Sequence, residues 1–176
     1  VWHPAATVES TGSLLVALSD LIRQYVVLDE HAAVAVALWV LHTWGIDAAD
    51  TTPYLNVWSA EKRCGKSRLL ETLALVVNNP WLCCRTSSAL LTRRIDRDAP
   101  TLLLDETDAA FKGDREYAET LRGILNGGWR RGTPVSLCVK VGGNIDFRDF
   151  NVFGPKALAG IGTLPDTVLD LSLIHI

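Results

Sequence analysis

The sequence contains no methionine, and none of its four cysteines forms a C-x-x-C pair. That pattern excludes a zinc knuckle, which needs paired thiolates at close spacing. Cys83 and Cys84 are neighbours, too close in the chain for relaxed disulfide geometry. Cys64, Cys83, Cys84 and Cys138 are therefore expected to be reduced thiols of a cytoplasmic protein. A strong charge excess is also missing: 17 Lys and Arg stand against 20 Asp and Glu, a net charge of −3. Whole-molecule charge does not recruit nucleic acid, so any such contact needs a local patch. Long hydrophobic runs are absent too. The most apolar stretch, Ala32 to Trp44, follows Asp29-Glu30-His31, contains His42 and is stopped by Gly45. It falls short of the roughly 20 residues that span a bilayer. It has no basic leader and no small-residue cleavage site. A buried helix is expected there, and no membrane partner. The chain begins at Val1 and has no start residue, so a piece of a longer product is expected.

What is present is enough for one domain with a real core: 176 residues, 48% of them hydrophobic. Three segments are expected: a helical region over 1–53, a core over 54–170 and a tail over 171–176. Residues 13–26 carry apolar side chains at helical spacing, from Leu14 and Leu15 through Leu18, Leu21 and Ile22. Asp29 is placed to cap the Ala-rich helix that ends at Gly45. Strands are predicted at 54–58, 81–85, 101–104 and 156–161. Helices are predicted from Gly65 to about Val77, from Ser87 or Ser88 to about Asp96, and from Asp114 to Asn126, the last ended by Gly127-Gly128. Such alternation argues for an α/β fold with a parallel sheet covered on both faces. Within it, 135–141 and 145–152 flank Gly142-Gly143-Asn144 and predict an inserted β-hairpin.

The chemistry concentrates in two motifs. Ala60 to Ser67 (AEKRCGKS) follows a predicted strand and opens a predicted helix, the context of a phosphate-binding loop. Backbone amides of Glu61, Lys62, Arg63, Cys64 and Gly65, with the helix start through Arg68, would face β- and γ-phosphates. Lys66 would reach the same oxygens, and the Ser67 hydroxyl would bind Mg²⁺. Ala60 stands where the usual pattern has its first glycine. The second motif is Thr101 to Glu106 (TLLLDE), an apolar strand ending in two carboxylates, 39 positions (105 − 66) after Lys66. Asp105 would hold Mg²⁺ and Glu106 would act as general base toward an attacking water. Asp108 is placed to cap the next segment. Cys64 sits inside the loop, where one reading is a redox-sensitive site; a small tolerated side chain explains it more simply.

Other features carry more than one reading. Arg122 and Asn126 share a helix face. Arg130 and Arg131, beside Trp129, are candidate nucleic-acid contacts, as are Lys140 and Arg148 toward the tip half of the hairpin. A solvated turn and a structural edge hairpin explain these equally. Arg93, Arg94 and Arg97 form another basic cluster, which a solvated helix face explains equally well.

Four segments together (WSAEKRCGKSRLLETL, PTLLLDETD, LRGILNGGWRRG and GPKALAGIGTLPDTVLD) resemble a bacterial and phage family of P-loop domains of unknown function. HAAVAVALWVLHTW resembles the helix before that family's phosphate loop. The resemblance spans about residues 20 to 170. It implies a P-loop NTPase of the additional-strand class, akin to AAA+ ATPases and superfamily-three helicases. It also implies ATP as nucleotide, DNA as partner in a helicase- or primase-like setting, and a homo-oligomer. Asp105 and Glu106 match the family's Walker B pair, and Thr163 falls near its γ-phosphate sensor. LSLIHI at 171–176 resembles translated sequencing-adapter read-through, so a non-native tail is expected in place of an Arg-containing continuation. Three functions follow as expectations: a Mg²⁺-dependent ATPase acting on DNA, a nucleotide-gated binding module without hydrolysis, and a small-molecule kinase with an acceptor pocket.

Overall fold

A computed structural model of the chain describes residues 10–59, 64–84, 86–142, 144–161 and 174–175. Two helices come first. Ser10 caps α1 (Thr11–Tyr25): its hydroxyl accepts from the Ser13 amide at 3.2 Å, and its own amide donates to the Ser13 hydroxyl at 3.1 Å. This reciprocal pair satisfies two amides that a helix start leaves open. α2 (Glu30–Trp44) starts on Asp29, whose carboxylate accepts from the Ala32 amide at 2.8 Å, and stops at Gly45. Its apolar run is spent inside the molecule: Ala33, Val36, Ala37, Trp39 and Val40 are buried. Among the described residues no single helix is long and apolar enough to cross a membrane; the α1–α2 pair would qualify only together, and it bends by 117°.

Strands and helices then alternate: β1 (Leu55–Ser59), α3 (Lys66–Leu73), β2 (Pro80–Cys83), α4 (Ser88–Asp98), β3 (Thr101–Leu104), α5 (Thr107–Lys112) and α6 (Arg115–Gly128). β4 (Val135–Val141) and β5 (Asn144–Phe150) follow, then β6 (Lys156–Ile161) and the two-residue β7 (Ile174–His175). The main sheet runs β2-β3-β6-β1-β7, and every neighbouring pair is parallel. β6 follows β3 and the hairpin in sequence yet lies between β3 and β1. β7, inside the expected tail, pairs with Leu55 and Asn56.

The period of two along each strand sends alternate side chains to opposite faces. Leu55, Val57, Leu103, Ala157 and Ala159 meet Leu69, Leu70 and Leu73 of α3, with Ile22, Val36 and Val40 of the N-terminal helices. Leu102, Leu104 and Leu158 meet Leu91 and Ile95 of α4 and Leu121, Ile124 and Leu125 of α6. The chain is thus an α/β fold, a parallel sheet with helices on both faces. Leu102, Leu103 and Leu104 are completely buried, each contributing about 1.5–3 kcal/mol by transfer from water. β3 is therefore a fixed base for the carboxylates that follow it.

The structure departs from the predicted elements at definite places. α3 ends at Leu73 instead of Val77. Past Leu73 the backbone tightens: the Leu75 and Val76 amides donate three residues back, to the Thr72 and Leu73 carbonyls at 3.1 and 3.0 Å. The segment that follows is held by α2, where the Val76 carbonyl accepts from Trp44 Nε1 at 2.8 Å and the Asn78 amide donates to Thr43 Oγ1 at 3.1 Å. α6 runs through Gly127 and Gly128 instead of stopping before them. At Gly128 a Cβ would collide with Lys156 Nζ and the Val152 carbonyl, so the glycine serves close approach and not termination. α5 is a helix that the sequence pattern does not predict. β4 and β5 form the predicted hairpin, as a separate antiparallel pair.

Candidate functional site

All strands of a parallel sheet end on one side, and ligands of open α/β sheets gather outside those carboxyl ends. Here that edge carries Ser59, Cys83, Leu104 and Ile161. Gly65 begins α3 with φ at +86°, a conformation that disfavours any side chain. The next two residues point to the sheet edge. Lys66 Nζ donates to Ser59 Oγ at 2.5 Å, and Ser67 Oγ donates to Asp105 Oδ2 at 2.6 Å. The sequence motifs at 66–67 and at 105 thus meet in space, with β6 between the strands that carry them.

Asp105 is held from two further directions. Its amide donates to the Cys83 carbonyl at 2.9 Å, extending the β2–β3 ladder by one residue. Its Oδ1 accepts from the Glu106 amide at 2.8 Å. Glu106 is exposed and left-handed, with φ +56° and ψ +40°. For a residue with a Cβ this conformation costs about 1–2 kcal/mol, and it persists only where surrounding contacts over-determine it. The Glu106 carbonyl supplies some of them, accepting from the Ala109 and Ala110 amides at 3.0 and 3.3 Å.

Beside Glu106 opens a cavity of about 350 Å³, walled by Cys84, Thr86, Ser87, Ala110 and Tyr117 among others. The Thr86 hydroxyl is buried in that wall without a hydrogen-bond partner. Arg68 is exposed and paired with Glu71 at 3.1 Å. Cys64 is exposed, and Cys64, Cys83, Cys84 and Cys138 are not in disulfides. Ala60, Glu61, Lys62, Arg63 and Thr163 lie outside the described residues.

The candidate nucleic-acid cations do not join this cluster. Arg131 donates to the Ala49 and Ile46 carbonyls at 3.1 and 2.9 Å and lies 4.5 Å from the Phe153 ring centroid. Its neighbour Arg130 is exposed and bridges Thr51 through the backbone. Both sit beside the segment that leads into β1, at the opposite end of the sheet. Arg148 belongs to the base half of the hairpin, opposite Leu137, and not to the tip half. Lys140, opposite Ile145, is the one beside the turn. Arg148 is engaged by Asp96 of α4 at 3.0 Å. The Arg93, Arg94 and Arg97 cluster is partly internal: Arg94 covers Trp81 at 4.3 Å, and Arg94 and Arg97 share Asp98. Arg122 lies 5.7 Å from the Phe111 ring centroid.

Sequence reasoning overlooks Lys156. It is 1% exposed, and Nζ donates to the carbonyls of Val152, Gly154 and Gly128 at 2.8, 2.9 and 3.4 Å. Burial pushes its pKa down to about 7. The available signal is a charged residue opening an otherwise apolar strand, with a glycine pair upstream. Ser59 is likewise overlooked as a partner of Lys66. Asp108 is expected as a cap, whereas the start of α5 falls to Glu106 and the Asp108 carboxylate accepts from Ile161 of β6.

No protein-family model matches the chain, and no curated protein matches it.

Proposed function

We propose that the chain is a P-loop ATPase domain of the additional-strand class, binding ATP with Mg²⁺ and hydrolysing its β–γ phosphoanhydride bond. The observation that carries this reading is the 2.6 Å hydrogen bond from Ser67 Oγ to Asp105 Oδ2. It joins a Gly-Lys-Ser helix start to the carboxylate after a buried strand. A second strand, β6, stands between them in the sheet. A chance Gly-Lys-Ser has no reason to meet that carboxylate.

The donor set fits Mg²⁺. A hydroxyl and a carboxylate are hard oxygen ligands, and Mg²⁺ takes one or two protein oxygens besides phosphates and water. Ser67 and Asp105 would hold it, and when bound it neutralises charge on the β- and γ-phosphate oxygens. The rest falls to the chain. Lys66 exchanges Ser59 Oγ for phosphate oxygens. The amides at the start of α3 face the same anion. Glu106 accepts a proton from the attacking water, and the cavity beside it gives that water room. ATP over other nucleotides, coupling to DNA and assembly into an oligomer follow from the family resemblance. Of the four cations proposed for DNA, Arg131 and Arg148 already serve internal contacts, so that part of the reading is tested at Arg130.

The cavity favours one further reading, transfer of the γ-phosphoryl group to a small hydroxylated acceptor. Turnover of ATP with Mg²⁺, with and without single-stranded DNA, separates the readings. Wild type should release inorganic phosphate. Glu106→Gln should bind ATP and lose at least about a hundredfold in kcat, the scale of general-base assistance. Unchanged turnover would remove Glu106 as base. ATP bound without turnover in wild type would leave a nucleotide-gated module. Phosphate appearing on an added polyol instead of in solution would make the protein a kinase. DNA-stimulated turnover supports the coupling to DNA, and indifference to DNA removes it.

A further inference from the structure

β3 ends at Leu104, so its ladder with β6 stops at the pair Leu104–Leu158. β6 continues to Ile161, and beyond Leu158 its exposed backbone groups on that side need other partners. Two side chains supply them. Thr107, 2% exposed, donates its hydroxyl to the Ala159 carbonyl at 3.1 Å. Asp108 Oδ1 accepts from the Ile161 amide at 3.1 Å. Between these two anchors sits Gly160. A Cβ there would collide with Thr107 Oγ1 and lie 3.2 Å from the Asp108 amide. The ladder of β3 is thus continued by side chains of the next turn, and β6 carries a glycine where they press against it.

Glu106 stands immediately before Thr107, in the left-handed conformation described above. Its amide and carbonyl bond to Asp105, Ala109 and Ala110, all close in sequence. Local bonds alone let the whole turn rotate as a unit. Asp105 anchors the turn on its near side, through β2 and Ser67; the two bonds to β6 anchor its far side. We propose that Thr107 and Asp108 are positioning residues that lock the Glu106 turn to the end of β6, and that this lock fixes where the Glu106 carboxylate stands. The proposal rests on Glu106 serving as the base. It adds which contacts orient that base.

The test compares Asp108→Ala, Asp108→Asn and Gly160→Ala in the full chain, with ATP affinity, kcat and amide exchange of the Ile161 segment as readouts. Asn keeps an acceptor for the Ile161 amide and loses the charge; Ala loses both. Asp108→Ala should leave ATP affinity within about twofold and lower kcat by about ten- to a hundredfold, the cost of a misplaced catalytic group. It should also speed exchange at Ile161. Gly160→Ala should act in the same direction. Asp108→Asn should restore most of the kcat and the slow exchange. Equal loss in Asn and Ala would mean that the charge itself acts, and would overturn the positioning role. Unchanged kcat and exchange in Asp108→Ala would overturn it as well. Exchange requires no turnover. A wild-type chain that binds ATP without hydrolysis, yet shows the exchange pattern, would remove the hydrolytic reading and leave the lock standing.

Discussion

Lys66 and Lys156 stand at opposite ends of one sheet and show two uses of a lysine side chain. Lys66 follows a left-handed glycine at the carboxyl edge and donates to a side-chain hydroxyl, Ser59 Oγ. Lys156 opens β6 at the other end, inside a cage of three carbonyls beneath the Tyr54 ring, 5.1 Å away. Among the described residues, the side chains that meet at the carboxyl edge include Ser59, Ser67 and Asp105, each with a hydroxyl or a carboxylate. Around Lys156 the partners are main-chain groups and glycines that cannot move. A site that must accept a ligand uses partners that can be exchanged. A structural junction uses partners that cannot. The same division separates Ser67 and Asp105 from Arg131, whose guanidinium binds the carbonyls of the 46–49 turn.

The largest effect should come from Lys66. Lys66→Ala removes the charge proposed to face the phosphates while leaving the core intact, because Lys66 is not among the buried apolar residues that hold the sheet. ATP affinity should fall at least about a hundredfold, as expected for losing charge-assisted phosphate bonds. The melting temperature without nucleotide should stay close to wild type. Equilibrium binding of a fluorescent ATP analogue, alongside thermal melts, reads both. Equal ATP affinity would erase the distinction between the two lysines and with it the phosphate-loop assignment.

Lys156 should give a smaller effect of another kind. Burial lowers its pKa from the usual 10.5 to about 7 in the fold. Between those values the unfolded chain binds a proton that the folded chain does not. The contribution to stability is therefore full above 10.5 and is lost as pH falls toward 7. Stability should rise with pH across this window, by at most about 1.4 kcal/mol per unit for one proton. Lys156→Met keeps the aliphatic stem and should flatten that slope, while the Val152 and Gly154 carbonyls lose this donor at about 1–3 kcal/mol each; the Gly128 carbonyl keeps the Gly154 amide. Urea midpoints from pH 7 to 10 measure the difference. Equal slopes in both proteins would mean the cage holds an ammonium ion.

How much of this is legible in the sequence follows the same division. Alternating strands and helices, the Asp29 and Gly45 boundaries and the buried TLLL strand are readable, because local patterns of apolarity and capping set them. The meeting of Lys66, Ser67 and Asp105 is readable as a pair of motifs spaced for it. What escapes notice depends on groups distant in sequence. Trp44 and Thr43 hold the segment after α3 from 32 and 35 positions away. Gly127-Gly128 looks like a stop signal because the crowding by Lys156, 28 positions after Gly128, leaves no local trace. Asp108 resembles a helix cap because residues of that type usually are caps, whereas its partner lies on a strand 53 positions later. Arg130 and Arg131 look alike as neighbours, and only the fold tells them apart.

That last pair gives the finest test of the comparison. Arg131 spends its guanidinium on the Ala49 and Ile46 carbonyls and on the Phe153 ring, although the side chain is exposed. Solvent screening limits such exposed interactions to about 1 kcal/mol. Arg131→Ala should therefore lower the melting temperature by about 2–4 °C for a chain of this size. It should leave single-stranded DNA affinity and its salt dependence unchanged. Arg130→Ala should do the reverse: an unchanged melt, weaker DNA binding and a salt slope flatter by about 0.7, the value for one phosphate no longer neutralised on a single strand. Fluorescence anisotropy over a salt series separates the two. If Arg131→Ala flattens the slope and Arg130→Ala does not, the carbonyl-bound guanidinium also reaches phosphate. The buttress of the 46–49 turn would then be the working cation, and its exposed neighbour the idle one.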